Sequence, residues 1–300
     1  MKTIEYIQAE EAVQVIKSGD RVFLHGSAAT PVPLITAMQQ RHASLQDVEL
    51  VSISNMGDLN FDDPQYRKSF FMNSLFVSAN TRAVVNSERG DYVPVFLSQI
   101  PQLFKEKILP LQVALIQVSE PDAHGYCSLG CSVDIARAAV DTAKHIIAMV
   151  NPQMPRTHGD GFLHYSKIDS MVWIDHPLPE VDYASKKNEI VEKIGEHVAS
   201  LIEDGSTLQL GIGSIPDQVL QNLKNHKDLG LHTEMFSDGV IPLIQNGTIN
   251  NSRKSNNPGR SVTSFIAGTK KIYDFVHDNP AIRVLDISYV NDTAIIRKNP

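Results

Sequence analysis

The stretch Thr207-Leu-Gln-Leu-Gly-Ile-Gly-Ser-Ile-Pro216 reads as a short apolar strand, a glycine-rich loop and the opening turn of a helix. Proline suits that position, because the first helical N–H groups have no intrahelical partner to lose. Upstream, Ile190, Ile194, Val198 and Leu201 recur at steps of four, four and three, which is a helical stripe, and Asp204-Gly205 stops it. Downstream, the helix runs from Asp217 to about Asn225, and Leu229 to Met235 reads as the next strand.

The same order occurs near the start of the chain. Ala9 to Lys17 is helical in pattern, Gly19-Asp20 ends it, and Val22-Phe-Leu24 is an apolar strand. Gly26 to Thr30 is a small-residue loop, Pro31 and Pro33 open a helix to about Arg41, and Val48 to Ile53 is a further strand. Two copies of one order predict a structural duplication. Pro177-Leu-Pro179 and the polar Ser185-Lys-Lys-Asn188 suit a linker between the copies. The expected units are an N-terminal α/β domain, 1–182, and the first part of a C-terminal α/β domain, 183–300.

Leu111 to Val118 and His145 to Val150 are nearly continuous apolar runs, separated by a helical segment, Val133 to Ala143. Such runs belong to parallel sheets covered on both faces. The expected fold is therefore α/β, with two related open, mostly parallel sheets flanked by helices. The second reads as incomplete. After Glu234 come a helix near 240–245, a strand at 261–267, a helix at 270–278 and a strand near 282–286, with no helix read over that last strand.

A length of 300 residues suits two domains, and a hydrophobic fraction of 42% excludes a disordered chain. With 34 acidic against 27 basic residues the net charge is −7, which speaks against a nucleic-acid partner. Cys127 and Cys131 are too few for a disulfide scaffold and suit reduced thiols in the cytoplasm. The start lacks an apolar signal core. The longest uncharged run, Val22 to Gln40, is interrupted by His25, Pro31 and Pro33, so no membrane span is expected. Asn246-Gly-Thr248, Asn250-Asn-Ser252 and Asn291-Asp-Thr293 read as chance glycosylation matches.

Chemistry concentrates in two places. The Gly211-Ile-Gly-Ser-Ile-Pro216 loop lets backbone approach a ligand and precedes a helix N-terminus, which attracts anions. Pro216 stands where a dinucleotide fingerprint needs a third glycine, so the loop is either an acyl or phosphate cradle or simply a tight turn. In Leu231-His-Thr-Glu-Met-Phe-Ser-Asp-Gly239 a strand ends in dense polar groups. Carboxyl ends of parallel strands form ligand crevices. Glu234 there can serve as nucleophile, base or metal ligand. The alternative is a helix cap, with Ser237 or Asp238 as N-cap and Glu234 merely solvated. His124, Cys127 and Cys131 lack a fourth ligand for a metal, and read instead as a loop histidine and core thiols. His158 and His164 flank the flexible Gly159-Asp-Gly161 and read as solvated loop residues. No nucleophile elbow and no Walker loop is present.

Seven segments together resemble the acetyl-CoA hydrolase/transferase family of class I coenzyme A transferases. They are Gly19-Asp-Arg-Val-Phe-Leu-His-Gly26, Asp91-Tyr-Val-Pro-Val-Phe-Leu-Ser98, Val118-Ser-Glu-Pro-Asp-Ala-His-Gly-Tyr-Cys-Ser-Leu-Gly130, Asn151-Pro-Gln-Met-Pro-Arg-Thr157, Gly211 to Pro216, His232 to Gly239 and Tyr289-Val-Asn-Asp292. The likeness is greatest to the 4-hydroxybutyrate, butyryl- and acetyl-CoA:carboxylate branch, and it covers essentially the whole chain. It implies an enzyme that moves coenzyme A between an acyl-CoA and a short-chain carboxylate through a glutamyl-CoA thioester on Glu234. Gly211, Ile212, Gly213 and Ser214 are the implied substrate and coenzyme A contacts, with no metal and no permanently bound cofactor. Coenzyme A is a substrate, and a homodimer is expected. Family members continue further, with another glycine-rich segment that helps hold coenzyme A, so the chain reads as truncated. Hydrolysis at the same glutamate, a non-catalytic acyl-CoA-binding fragment and, more remotely, a sugar-phosphate isomerase are the competing readings.

Overall fold

A computed structural model describes residues 4–183, 189–211 and 213–300. The polar 184–188 stretch of the expected linker lies outside them. Seven strands form the first sheet: β1 (Arg21–Leu24), β2 (Val48–Ser52), β3 (Phe70–Ser74), β4 (Gly90–Tyr92), β5 (Val113–Val118), β6 (His145–Val150) and β7 (Ser170–Trp173). Their order is β7-β6-β5-β1-β2-β3-β4, and every neighbouring pair is parallel. The chain steps outward from β1 to β4, then returns to the other side of β1 as β5. Winding thus reverses between β1 and β5, where α/β sheets open a crevice at their carboxyl ends.

Periodicity explains the coverage. All six residues of β5 are buried. In β1, Phe23 joins one apolar core while Val22 and Leu24 join another on the opposite face, the two-residue alternation of a strand. The larger core continues from Phe23, Ile116 and Val118 to Leu231, Val262 and Val284 of the second half. Cys127 and Cys131 lie within it.

The second half repeats the opening order of the first. Helix Glu189–Ala199 leads to β8 (Thr207–Leu208), helix Ser214–Gln221 follows, and β9 (Gly230–Leu231) pairs parallel with β8. Then come β10 (Met235–Phe236), β11 (Ser261–Thr263), β12 (Phe265–Ile266) and β13 (Ile282–Val284). A bridge from His232 to Val262 joins β9 to β11, and β11 pairs parallel with β13. The far edge of this sheet comes from the first half: His158–Gly159 pairs parallel with β13.

Three expectations change. On helix Glu189–Ala199 the apolar stripe is only half-buried at Ile194 and is exposed at Ile190 and Val198, as is Leu201 just past the helix. Its buried seam is made of Gly195 and Ala199 instead. A Cβ on Gly195 would stand 2.7 Å from Gln218 Cγ, so the closest helix approach needs the smallest residue. The segment after β13 is not bare, since Ile287–Val290 and Thr293–Ile296 form short helices. Four residues are too few to show a helical period. Finally, β3 and β4 widen the first sheet beyond the strands expected there.

Among the described residues, no helix is long and apolar enough to cross a membrane. Gly159 is the backbone position on which the inter-half pairing turns. Its φ of +129° lies where side chains are strained, and a Cβ would meet the Val284 carbonyl oxygen at 2.2 Å. Gly159→Ala should lower the unfolding free energy by about 1–3 kcal/mol. Urea melts check this, and an unchanged midpoint would contradict it.

Candidate active site

The strand expected at 229–235 is broken, and the break sits at Glu234. Up to His232 the chain pairs with β8 and β11. From Met235 it pairs with β12. The neighbouring run 261–267 breaks in the same way at Ser264, between β11 and β12. The two breaks are tied together: the Glu234 carbonyl accepts from the Ser264 and Phe265 amides (3.0 and 3.1 Å) and from Thr263 Oγ1 (3.1 Å). A glutamate flanked by apolar residues is therefore tolerated because it leaves the ladder rather than packing in it.

Outside the ladder, half-buried Glu234 meets Asn291, whose Nδ2 donates to Oε2 at 2.6 Å. Among the described residues Oε1 has no partner. Asn291 directly follows helix Ile287–Val290, whose first turn is capped by Asp286 accepting from the Ser288 amide (2.8 Å). The turn Leu97–Gln99 packs against that helix, so the Asp91–Ser98 segment borders the same region.

The glycine loop is stitched to the residue before Glu234. Thr233 Oγ1 accepts from the Leu210 amide (2.9 Å) and donates to the Leu210 carbonyl (3.0 Å). Gly211, Gly213 and Ser214 thus follow a point fixed beside the glutamate, and Ile212 lies outside the described residues. Gly213 has φ +115° and ψ −174°, a conformation only glycine adopts readily, and it precedes helix Ser214–Gln221. Gly211 has ordinary geometry. A Cβ there would find only Pro216 Cγ, at 3.7 Å, so its missing side chain leaves room rather than relieving a clash.

Ser237 and Asp238 do not cap the following turn as the alternative required. Ser237 Oγ donates to Asp217 Oδ1 (3.1 Å), tying the end of β10 to helix Ser214–Gln221. Burial pushes the Asp217 carboxyl up, and nearby Asp238 and Asp182 add to it. Asp238 accepts from the Thr269 amide and hydroxyl (2.8 and 2.7 Å).

The remaining sequence candidates stay apart from this site. Cys127 and Cys131 are core thiols, and burial pushes Cys127 up to about 12 and Cys131 higher still. His124 is exposed. His158 Nε2 pairs with Asp278 Oδ1 (3.0 Å), and His164 Nδ1 with Ser166 Oγ (2.7 Å). Among the described residues no group of three or more His, Cys, Asp or Glu is arranged around a metal position. Two contributors escaped the sequence reading. Thr233 and Asn291 carry no local pattern, and Asn291 stands 57 positions from its partner. Only the Tyr289–Asp292 segment of the family likeness pointed there.

Beneath the site lies the switch point of the first sheet, closed by a polar network. His25, at the carboxyl end of β1, directs Nε2 to the Ser132 carbonyl (2.6 Å). Its Nδ1 accepts from the Gln117 amide (3.1 Å). Gln117 Oε1 accepts from Asn151 Nδ2 (2.6 Å). Ser132 in turn bridges Phe265, whose amide holds the Glu234 carbonyl. Ser132 Oγ donates to Asp134 Oδ2 (2.5 Å). The crevice end of one sheet thus supports the catalytic-looking break in the other.

The fold is α/β, with a carboxylate at the carboxyl end of a parallel strand, where such sheets bind ligands, and a glycine loop fixed beside it. Residues 3–196 match the acetyl-CoA hydrolase/transferase N-terminal domain. The chain is 48% identical over 293 residues to the 4-hydroxybutyrate coenzyme A transferase of Clostridium kluyveri, covering 98% of this chain and 68% of that protein. It is 45% identical over 294 residues to a succinyl-CoA:acetate/propanoyl-CoA:succinate CoA transferase of Fasciola hepatica, covering 97% and 61%. Among solved structures, RipA from Yersinia pestis superposes with a TM-score of 0.93 at 32% identity, over 98% of this chain and 71% of that one. A 4-hydroxybutyrate CoA-transferase from Porphyromonas gingivalis gives a TM-score of 0.87 at 38% identity, over 98% and 70%. The chain belongs to the acetyl-CoA hydrolase/transferase family and is of the CoA-transferase kind. It spans 61–68% of the length of the curated relatives it matches.

The network also sets a pH dependence. Burial pushes the His25 imidazole down to about 4 and the Asp134 carboxyl up to about 6. The fold prefers neutral His25, so its contribution is present above pH ~6.5 and is lost toward 4, roughly 3 kcal/mol. The fold also prefers protonated Asp134, which returns a similar amount as pH falls through 6 toward the unfolded value. The two nearly cancel. In Asp134→Asn, stability should therefore fall by roughly 3 kcal/mol more than in the parent between pH 6.5 and 4. Urea melts at the two pH values check this; equal slopes would contradict it.

Proposed function

We propose that the chain carries the nucleophilic half of a coenzyme A transferase, moving coenzyme A from an acyl-CoA to a short-chain carboxylate through covalent intermediates on Glu234. The observation that carries it is the Asn291–Glu234 bond. One carboxylate oxygen is held at 2.6 Å while the other, Oε1, has no partner among the described residues. A nucleophile needs that arrangement: fixed in direction, with one oxygen available to attack.

The steps balance as follows. Oε1 attacks the thioester carbonyl, the C–S bond breaks, and the coenzyme A thiolate leaves an acyl-glutamyl anhydride. The thiolate attacks the glutamyl carbonyl and expels the acyl group as its carboxylate, leaving a Glu234–CoA thioester. An incoming carboxylate reverses both steps with the new acyl group. Thioester energy is conserved because no carbonyl meets water. Each tetrahedral intermediate needs N–H donors, worth about 2.7–4 kcal/mol apiece. The loop of Gly211, Ile212, Gly213 and Ser214 is the proposed source of these donors and of coenzyme A contacts. Its support is the Thr233–Leu210 stitch and the room left at Gly211.

The same reading takes 1–182 and 183–300 as the two units, and coenzyme A as a substrate rather than a resident cofactor. Short carboxylates are the proposed acceptors, supported by relatives named for 4-hydroxybutyrate and for butyryl-CoA and acetate, although one relative is named for cyclohexane-1-carboxylate.

In the active enzyme, Glu234→Gln should lower transfer from butyryl-CoA to acetate on the order of a thousandfold or more. Retained turnover would remove Glu234 from the reaction. Release of free coenzyme A without acetate, at the transfer rate, would instead assign hydrolysis.

A further inference from the structure

His232 is the last paired residue before the strand breaks, and Glu234 lies in the break itself, two residues on. Both reach the same short element. Glu234 accepts from Asn291, and His232 Nε2 lies 2.8 Å from the carbonyl oxygen of Val290, the residue before it. A carbonyl oxygen only accepts, so His232 carries its proton on Nε2. We propose that His232 is a positioning residue: by holding the Val290 carbonyl it fixes the Val290–Asn291 peptide and aims the Asn291 amide at Glu234. The proposal rests on the reading of Glu234 as nucleophile.

Helix Ile287–Val290 has four residues and cannot hold itself. The last carbonyls of a helix lack intrahelical donors. Asp286 caps its start, and His232 serves its end. His232 is itself anchored. Its amide donates to the Leu208 carbonyl (3.0 Å), it bridges Val262, and its ring is buried 6.1 Å from that of Tyr289. Burial, with Lys254 nearby, pushes the imidazole down toward the neutral form. Nδ1 has no partner among the described residues, so a second proton there would be stranded. The neutral Nε2–H form is the one the pocket accommodates. His232 touches no reacting atom in this scheme and acts through Asn291.

Glutamine carries an amide nitrogen near the Nε2 position, whereas the amide of asparagine ends near Nδ1. In the active enzyme, assayed with butyryl-CoA and acetate, His232→Gln should keep kcat within about threefold of the parent, while His232→Asn lowers it about tenfold or more at unchanged KM. In an Asn291→Ala background, His232→Asn should lower kcat by less than about twofold, because the route through Asn291 is already cut. Equal loss in the two His232 variants, of turnover or of folded protein, would overturn the proposal. So would a change confined to KM, or the full His232→Asn effect persisting without Asn291. Glu234→Gln measured in parallel separates the two levels: if it stays active, the nucleophile reading fails. If it is dead while the His232 variants are equal, only the positioning role fails.

Discussion

The hydrogen bonds from the Ser264 and Phe265 amides to the Glu234 carbonyl are the constraint on which the site depends. Two adjacent parallel strands break at the same level and re-pair one step on, as β10 with β12. An intact ladder would leave Glu234 either packed among apolar neighbours or facing solvent. The shared break instead satisfies its backbone and turns its carboxylate toward Asn291. A buried carbonyl left unpaired would cost about 1–3 kcal/mol, which is why the breaks occur together.

Support for that break comes from both halves. Ser132 bridges Phe265 from the first half, and the Cys131 carbonyl accepts from the Ile266 amide at 2.7 Å. His158–Gly159 closes the edge of the second sheet. The halves therefore share one core and one sheet edge rather than meeting at a loose interface, and the crevice expected at the switch point of the first sheet is filled by His25, Gln117 and Asn151.

Much of this was legible in the sequence. The nearly continuous apolar runs at 111–118 and 145–150 signal strands covered on both faces, and they became neighbouring strands of the first sheet. Glu234 was legible as an anomaly, a charge where β-propensity disfavours one. The strand break was not, because it depends on Ser264 in a neighbouring strand, and hydrogen-bond pairing between strands has no local signature. Asn291 and His232 were hidden for the same reason, since their roles arise from a helix too short to show a period. The stripe at Ile190, Ile194, Val198 and Leu201 identified the helix but not which face packs, since Ile194 is half-buried, the other three are exposed, and Gly195 and Ala199 set the contact.

The central claim is that the carboxylate of Glu234 becomes covalently joined to coenzyme A. Borohydride reduces a glutamyl thioester to a primary alcohol and leaves a free carboxylate alone. Peptide mass mapping of the enzyme, treated with borohydride in the presence and absence of butyryl-CoA, reads this out directly. The account predicts reduction at Glu234 that requires the acyl-CoA and accompanies loss of activity. Full activity after treatment with an unmodified Glu234, or reduction at a different residue, would contradict it.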